Sequence, residues 1–348
     1  MKLLTLSLMA MDTAEETVAK AVEEGAEASG SLPPALTVVF ICVAAALLVA
    51  TSVLAVCLVR SKRRGGSALS EIKGISIGKI HEQGAREYQQ DCFAVSDTAL
   101  MKDRGVLAVI ADGMGGLSDG DKVSRAVVES LLDGFMEIRG SATHEQDLLA
   151  LTCRAMSTVD RLLGPNGYKR SGSTLIMGLL RGRGFSFVSV GDSRICLFRD
   201  GELMQLNREH IYKNELALRA VNGEVSLQSV YSDKKGSGLT SFVGMGKLKY
   251  MDMPASPVTV RPGDKLILMS DGIYNAMTTS ELTDALSRPA ALAADTIREV
   301  IAKKNYSAQD NYTGIILECL AKEQTHTPAP APAAKGSTSV PSTLEPED

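Results

Sequence analysis

Hydrophobic patterning divides the chain into three stretches. Residues 35–59 form 25 successive positions without a charge, fourteen of them Leu, Ile, Val or Phe. At about 1.5 Å per residue a helix over that run is about 37 Å long, more than a hydrocarbon core requires. A core helix of that length would carry a polar stripe, so the run predicts a transmembrane helix rather than a buried one. Between residues 71 and 320 the apolar runs are short. Those at 75–80, 92–96, 106–111, 173–180, 185–190, 195–198 and 265–269 predict strands, several joined by Gly-containing turns such as Asp200-Gly201, and 312–320 is a terminal apolar run. Val123, Val127, Leu131, Phe135 and Ile138 recur at helical spacing, residues 148–163 are a second amphipathic stretch, and 280–286 and 292–303 predict two more helices. Strands in hairpin-like runs with helices inserted in pairs predict an α+β body of sheets packed under helices. Beyond residue 320 the pattern stops: Pro, Ala, Ser and Thr dominate without an aromatic, and 321–348 is expected to be a disordered tail.

Charge then orients the chain. Arg60, Lys62, Arg63 and Arg64 follow the apolar run, whereas Asp12, Glu15, Glu16, Glu23, Glu24 and Glu27 precede it with only Lys2 and Lys20. A basic cluster alone would also suit nucleic acid, but contact with the span makes it a stop-transfer anchor, and the positive-inside rule places everything after Arg60 in the cytoplasm. The expected organisation is a short extracytoplasmic segment at 1–34, a transmembrane helix at 35–59, a basic linker at 60–70, one folded body at 71–320 and the tail. The first eleven residues resemble a weak signal peptide without a clear cleavage site. With 37 basic against 41 acidic residues the chain is no polycation, which disfavours generic phosphate-backbone binding, and no nucleic acid partner is expected. Six cysteines without a CxxC pair and only four histidines leave oxygen atoms as the donors for any metal.

Candidate chemistry sits at the predicted strand ends. Asp112-Gly113, Asp192-Ser193 and Asp271-Gly272 each follow an apolar run, Asp310-Asn311 precedes the last one, and Asp91 precedes the Cys92 run. A lone Asp-Gly is ordinary turn chemistry. Several carboxylates converging within about 4 Å are not, because each pair repels by about 4 kcal/mol at an effective dielectric near 20. Protonation or bound cations must offset that repulsion, and an oxygen-only donor set points to Mg²⁺ or Mn²⁺.

In order along the chain, Arg86-Glu-Tyr-Gln-Gln-Asp91, Ala111-Asp112-Gly113-Met114-Gly115-Gly116, Ser171-Gly172-Ser173-Thr174, Val190-Gly191-Asp192-Ser193-Arg194, Ser270-Asp271-Gly272 and Asp310-Asn311 with Thr313 resemble the metal-dependent protein phosphatases of type 2C (the PPM family), in particular their bacterial branch. The resemblance spans residues 71–320. It implies a two-sheet antiparallel β-sandwich flanked by helix pairs, which the strand pattern is compatible with but does not specify. It also implies that Asp91, Asp112 and Asp271, with the Gly113 carbonyl, surround two Mn²⁺ or Mg²⁺ ions, that Asp310 completes one side, and that Asp192 with Asp271 binds a weaker third. Arg86 would grip the substrate phosphate through its planar guanidinium fork. The implied reaction is hydrolysis of phosphoserine and phosphothreonine monoesters by direct attack of a metal-bridging water. Partners would be phosphoproteins made by a Ser/Thr kinase, and the lipid bilayer through 35–59.

Two positions depart from the family. Some members carry histidine where Met114 stands, and methionine donates no proton to a leaving alkoxide; Asn is frequent where Gln89 stands, a change that bears on how the loop is tied. Arg208-Glu209-His210 resembles the Asp-His pair that opens a mobile flap, which would here be residues 211–246, against the plain alternative of a solvated loop. Two other readings compete with a broad phosphatase: a non-catalytic scaffold that binds phosphoproteins at the membrane, and a phosphatase dedicated to one partner-switching regulator.

Overall fold

A computed structural model describes residue 51 and residues 71–321, apart from 115–118, 139–142, 165–166 and 168–169. The predicted extracytoplasmic segment, the membrane span apart from Thr51, the basic linker and the tail apart from Ala321 lie outside the described residues. Among those described, no helix is long and apolar enough to cross a membrane.

Strands come first in chain order: β1 (Gly74–Glu82), β2 (Asp91–Val95) and β3 (Val106–Met114), followed by helices α1 (Gly120–Glu137) and α2 (His144–Leu163). Five strands follow, β4 (Gly172–Ser173), β5 (Leu175–Arg181), β6 (Gly184–Val190), β7 (Arg194–Arg199) and β8 (Glu202–Gln205), and then α3 (Tyr212–Val221) and α4 (Leu227–Ser232). The chain closes with β9 (Val258–Thr259), β10 (Lys265–Met269), α5 (Asp271–Tyr274), α6 (Thr279–Leu286), α7 (Ala290–Lys304) and β11 (Tyr312–Leu320). One sheet runs β1-β11-β10-β7-β8 and the other β2-β3-β5-β6-β9, with β4 paired to β3. Every pairing is antiparallel.

The period-two alternation of strand side chains builds four layers. Val106, Ala108 and Ile110 of β3 and Ile176 and Leu180 of β5 meet Leu266 and Leu268 of β10 and Ile315 and Leu317 of β11 between the sheets. The opposite faces of the same strands bury Leu107, Val109, Ala111, Met177 and Leu179 against Val123, Val127, Leu131 and Phe135 of α1 and Leu148, Ala155 and Val159 of α2. On the far side, Ile267, Met269 and Ile316 pack under Leu282 and Leu286 of α6 and Ala294, Ile297 and Ile301 of α7. Strands buried on both faces read as continuous apolar runs, and that is why their positions were legible.

Local signals fix the helix ends. Thr143 with Gln146, and Thr278 with Glu281, form reciprocal capping boxes at the starts of α2 and α6. Gly78 lies where a Cβ would collide with the Ala290 carbonyl, so the start of α7 rests directly on β1.

Three sequence expectations need correction. The run 173–180 is not one strand: Thr174 interrupts it between β4 and β5. Residues 211–246 are not a plain loop, since α3 and α4 lie within them and Ile211 bridges Leu239. Strands β8 and β9 and the single-turn helix α5 were not anticipated.

Candidate active site

The five aspartates gather at one end of the sandwich because the strands that carry them are neighbours. Asp91 and Asp112 are direct cross-strand partners at the start of β2 and near the end of β3. Asp271 opens α5 directly after β10, and Asp310 precedes β11, the strand paired to β10. Asp192 lies in the turn between β6 and β7, whose Gly191 takes a positive φ of 108°. The Ser193 hydroxyl in this turn bonds the Thr174 hydroxyl at 2.9 Å, and Thr174 Oγ1 accepts the Asp112 N–H at 3.0 Å. One polar chain therefore ties the turn to β3.

Close backbone approach explains two of the glycines. A Cβ on Gly113 would collide with the Gly120 carbonyl, and one on Gly272 with the Asn311 carbonyl. The Gly113 N–H also donates to the Gln90 carbonyl at 3.1 Å. Asp112 and Asp271 are thereby set against neighbouring backbone at α1 and at the start of β11, which fixes them to the frame.

The electrostatics are those of crowded acids. Burial, and then Asp91, Asp271, Asp192 and Asp310 in that order, push the Asp112 carboxyl well above the usual range. Burial raises Asp91 to about 6 despite hydrogen bonds from Thr313 and Ser270, with Asp271 and Asp310 adding to the rise. Asp271 rises to about 6 through burial and Asp310, and Asp192 to about 7 through burial and Asp271. Neighbours relieve only part of this: the Ser270 hydroxyl donates to Asp91 Oδ2 at 2.8 Å, and Arg86 Nη2 pairs with Asp310 Oδ2 at 2.6 Å.

These residues suit a hard divalent cation. Five carboxylates surround one place with a single arginine paired among them, and the donors are oxygens only. Among the described residues, however, no three His, Cys, Asp or Glu side chains close on one point tightly enough to hold an ion.

Arg86 is exposed on a loop held by Asn311. The buried Asn311 amide donates to the Gln83 and Tyr88 carbonyls at 2.8 and 3.0 Å, and its oxygen accepts the Gln90 N–H at 2.8 Å. Gln89 settles the question of the loop tie: its side-chain oxygen accepts the Asp91 N–H at 3.0 Å. Met114 ends β3, half-buried and opposite Gly172. Beside Asp310 a cavity of about 420 Å³ opens, lined by Gly272, Asn275, Tyr306 and Gln309.

The sequence motifs contained Ser270, Asn311 and Thr313 without revealing their work. Ser270 lies 179 positions from the Asp91 it contacts, and Asn311 lies 221 to 228 positions from the loop it ties. His81, whose Nδ1 lies 3.0 Å from Thr313 Oγ1 and whose ring packs on Phe93, carried no sequence signal.

Comparison with known proteins bears on the family and the fold. Residues 77–305 match the protein phosphatase 2C family. The serine/threonine phosphatase stp of Listeria welshimeri is 27% identical over 225 residues, covering 62% of this chain and 86% of that one. Among solved structures, PppA, a regulatory component of T6SS in Pseudomonas aeruginosa, superposes with a TM-score of 0.58 at 26% identity, covering 72% of this chain and all of its own. The catalytic domain of the Ser/Thr phosphatase PstP, solved in complex with two manganese ions, shares the fold with a TM-score of 0.56 at 22% identity, covering 71% of this chain and 99% of its own.

Proposed function

Since the chain belongs to the protein phosphatase 2C family, we propose that it is a membrane-anchored, Mn²⁺- or Mg²⁺-dependent phosphatase of Ser/Thr phosphoproteins in the cytoplasm. The observation that carries this reading is the set of five aspartates, from five separate stretches of chain, crowded beside Arg86. Asp91, Asp112 and Asp271 with the Gly113 carbonyl would hold two ions, Asp310 would complete one side, and Asp192 with Asp271 would hold a weaker third. Bound there, the ions would supply positive charge against a phosphomonoester dianion and an activated water for direct attack on phosphorus.

The chain's own residues do the rest. Arg86 exchanges its Asp310 partner for the phosphate, which its planar fork can grip in two places. Asn311 holds the loop that presents Arg86, and the Ser270 and Thr313 hydroxyls orient Asp91. Met114 has no proton to give, so the leaving alkoxide takes its proton from water. The retention of every aspartate of the motif set favours catalysis over a phosphoprotein-binding scaffold. The apolar run at 35–59 and the basic cluster after it support the anchor.

The test uses the purified full-length chain on a phosphothreonine peptide with Mn²⁺, with chelator, and as Asp271→Asn. Mn²⁺-dependent release of phosphate that falls about a thousandfold in the variant, or about 4 kcal/mol of transition-state stabilisation, is expected. Equal rates in all three would refute the metal mechanism, and binding of the peptide without hydrolysis would establish the scaffold instead.

A further inference from the structure

We infer that His210 is a positioning residue for the metal centre: its ring, as the neutral Nε2–H tautomer, clasps Gly191 and so holds the Asp192 carboxylate against Asp271. The inference rests on the reading of Asp192 as an ion ligand proposed above.

Two reciprocal hydrogen bonds form the clasp. The Gly191 N–H donates to His210 Nδ1 at 3.1 Å, and the His210 N–H donates to the Gly191 carbonyl at 2.8 Å. An Nδ1 that accepts a proton leaves the ring hydrogen on Nε2. That atom faces Asp252 Oδ1 at 3.5 Å, too long for a strong bond, and is otherwise buried without a partner. Arg208 occupies both Asp252 oxygens, at 2.7 Å from its N–H and 2.9 Å from Nη2. The Nε2–H therefore makes at most a weak contact to Asp252, the ring packs on Tyr250 with centroids 5.7 Å apart, and the shorter polar contact of this 95%-buried side chain is the one at Nδ1.

The turn needs such a restraint. Gly191 takes a φ of 108°, which favours glycine, and the neighbouring Asp192 lies close enough to Asp271 to be raised by its charge, so the turn must hold two like charges near one another. A second restraint acts from the other side. The Tyr274 hydroxyl at the end of α5 donates to the Asp192 carbonyl at 3.2 Å, the Tyr274 ring lies 3.6 Å beneath Arg194, and Arg194 pairs with Glu209 at 2.5 Å. Since α5 begins at Asp271, Tyr274 and His210 together fix the separation of the two carboxylates. His210 also accepts the Thr240 N–H through its carbonyl at 2.8 Å, which places the clasp where residues 211–239 leave and rejoin the frame.

Substitutions at His210 separate positioning from packing. Asn puts an amide oxygen where Nδ1 lies and keeps the acceptor; Gln reaches the Nε2 position and loses it; Phe fills the space without one. The readout is the binding isotherm of Mn²⁺ alone, from the electron paramagnetic resonance signal of free Mn²⁺ titrated into the full-length chain, beside the melting temperature in chelator. His210→Gln and His210→Phe are expected to weaken the weakest Mn²⁺ equivalent tenfold or more, as loss of a supporting contact does elsewhere, while His210→Asn retains it. In an Asp192→Asn background, His210→Gln should add no further loss. A His210→Gln isotherm equal to wild type, a His210→Asn isotherm as weak as that of Phe, or a full further loss on Asp192→Asn would each overturn the inference. Should Phe not fold, the Asn and Gln pair decides. A wild-type chain that takes up no Mn²⁺ would instead refute the phosphatase reading beneath it.

Discussion

The space between the sheets and the acidic cleft at its end are built on the same strands and obey opposite rules. In β3, Val106 to Ala111 are wholly buried among aliphatic side chains, and the next residue is Asp112. In β10, Leu266 to Met269 are equally dry, and Ser270 and Asp271 follow at once. Contacts in the first region are favourable one by one. In the second, four carboxyls are pushed above their ordinary range by burial and by one another. The difference teaches that the cleft is held in an unfavourable arrangement by the core behind it, as expected where strain serves function. Rigid strands deliver the carboxylates to a place that flexible loops would let them leave.

The strongest way to break the comparison is to damage the core alone. Leu268→Ala removes a fully buried side chain between the sheets and should cost about 3 kcal/mol in denaturant unfolding. Mn²⁺ uptake by the folded fraction should be unchanged, and a proportionate loss of binding would show that core and cleft are not separable. A smaller effect is expected at the boundary. Asn311→Ala releases the loop that carries Arg86, so KM for a phosphopeptide should rise about tenfold, or about 1.4 kcal/mol, with kcat within about threefold. An unaltered KM would mean that other contacts hold the loop.

The smallest effect concerns the cleft without ions. Asp91 and Asp271 near 6 and Asp192 near 7 bind protons more tightly folded than unfolded, where carboxyls titrate near 4. The folded state therefore holds more protons between about pH 4 and 7, and stability must fall as pH rises through that window. In chelator the melting temperature should drop by a few degrees between pH 5 and pH 7.5, and Asp112→Asn should lift the pH 7.5 value by about 3 °C. Added Mn²⁺ should reverse the trend in the wild type only. A flat chelated profile would remove the repulsion from the picture.

Much of the fold was legible because strands buried on both faces leave unbroken apolar runs; β10 was bounded to the residue, and the terminal apolar run at 312–320 proved to be β11. Edge strands gave less. β8 has three largely exposed positions and β9 spans two residues, so neither carries a face to read. Helices α3 and α4 were hidden among Gly, Ser and Lys, with little buried on either beyond Leu216 and Val230. In the site, the aspartates announced themselves by their place at the ends of apolar runs, three after and two before, and the family likeness supplied their order. Their supports did not, because a serine, a threonine and an asparagine become meaningful only when the fold brings them to partners two hundred positions away. His210 was noticed but its partner was not: Gly191 resembles any other turn glycine until the imidazole is seen against its N–H.

The exact pairing of Asp91 with Asp112 carries a consequence for how such a chain tolerates rewriting. Side chains change face at every step along a strand, so slipping β2 by a single position against β3 would turn one of the two acids away from the other. Added length between the exposed Lys102 and Asp103, beyond the single 3-10 turn at Thr98–Met101, is mild by comparison, since each doubling of a flexible loop costs only about 0.6 kcal/mol. Insertions therefore belong in the connection, whereas losing one residue from either strand would exchange the faces of the residues beyond it and disturb the packed layers together with the acid pair.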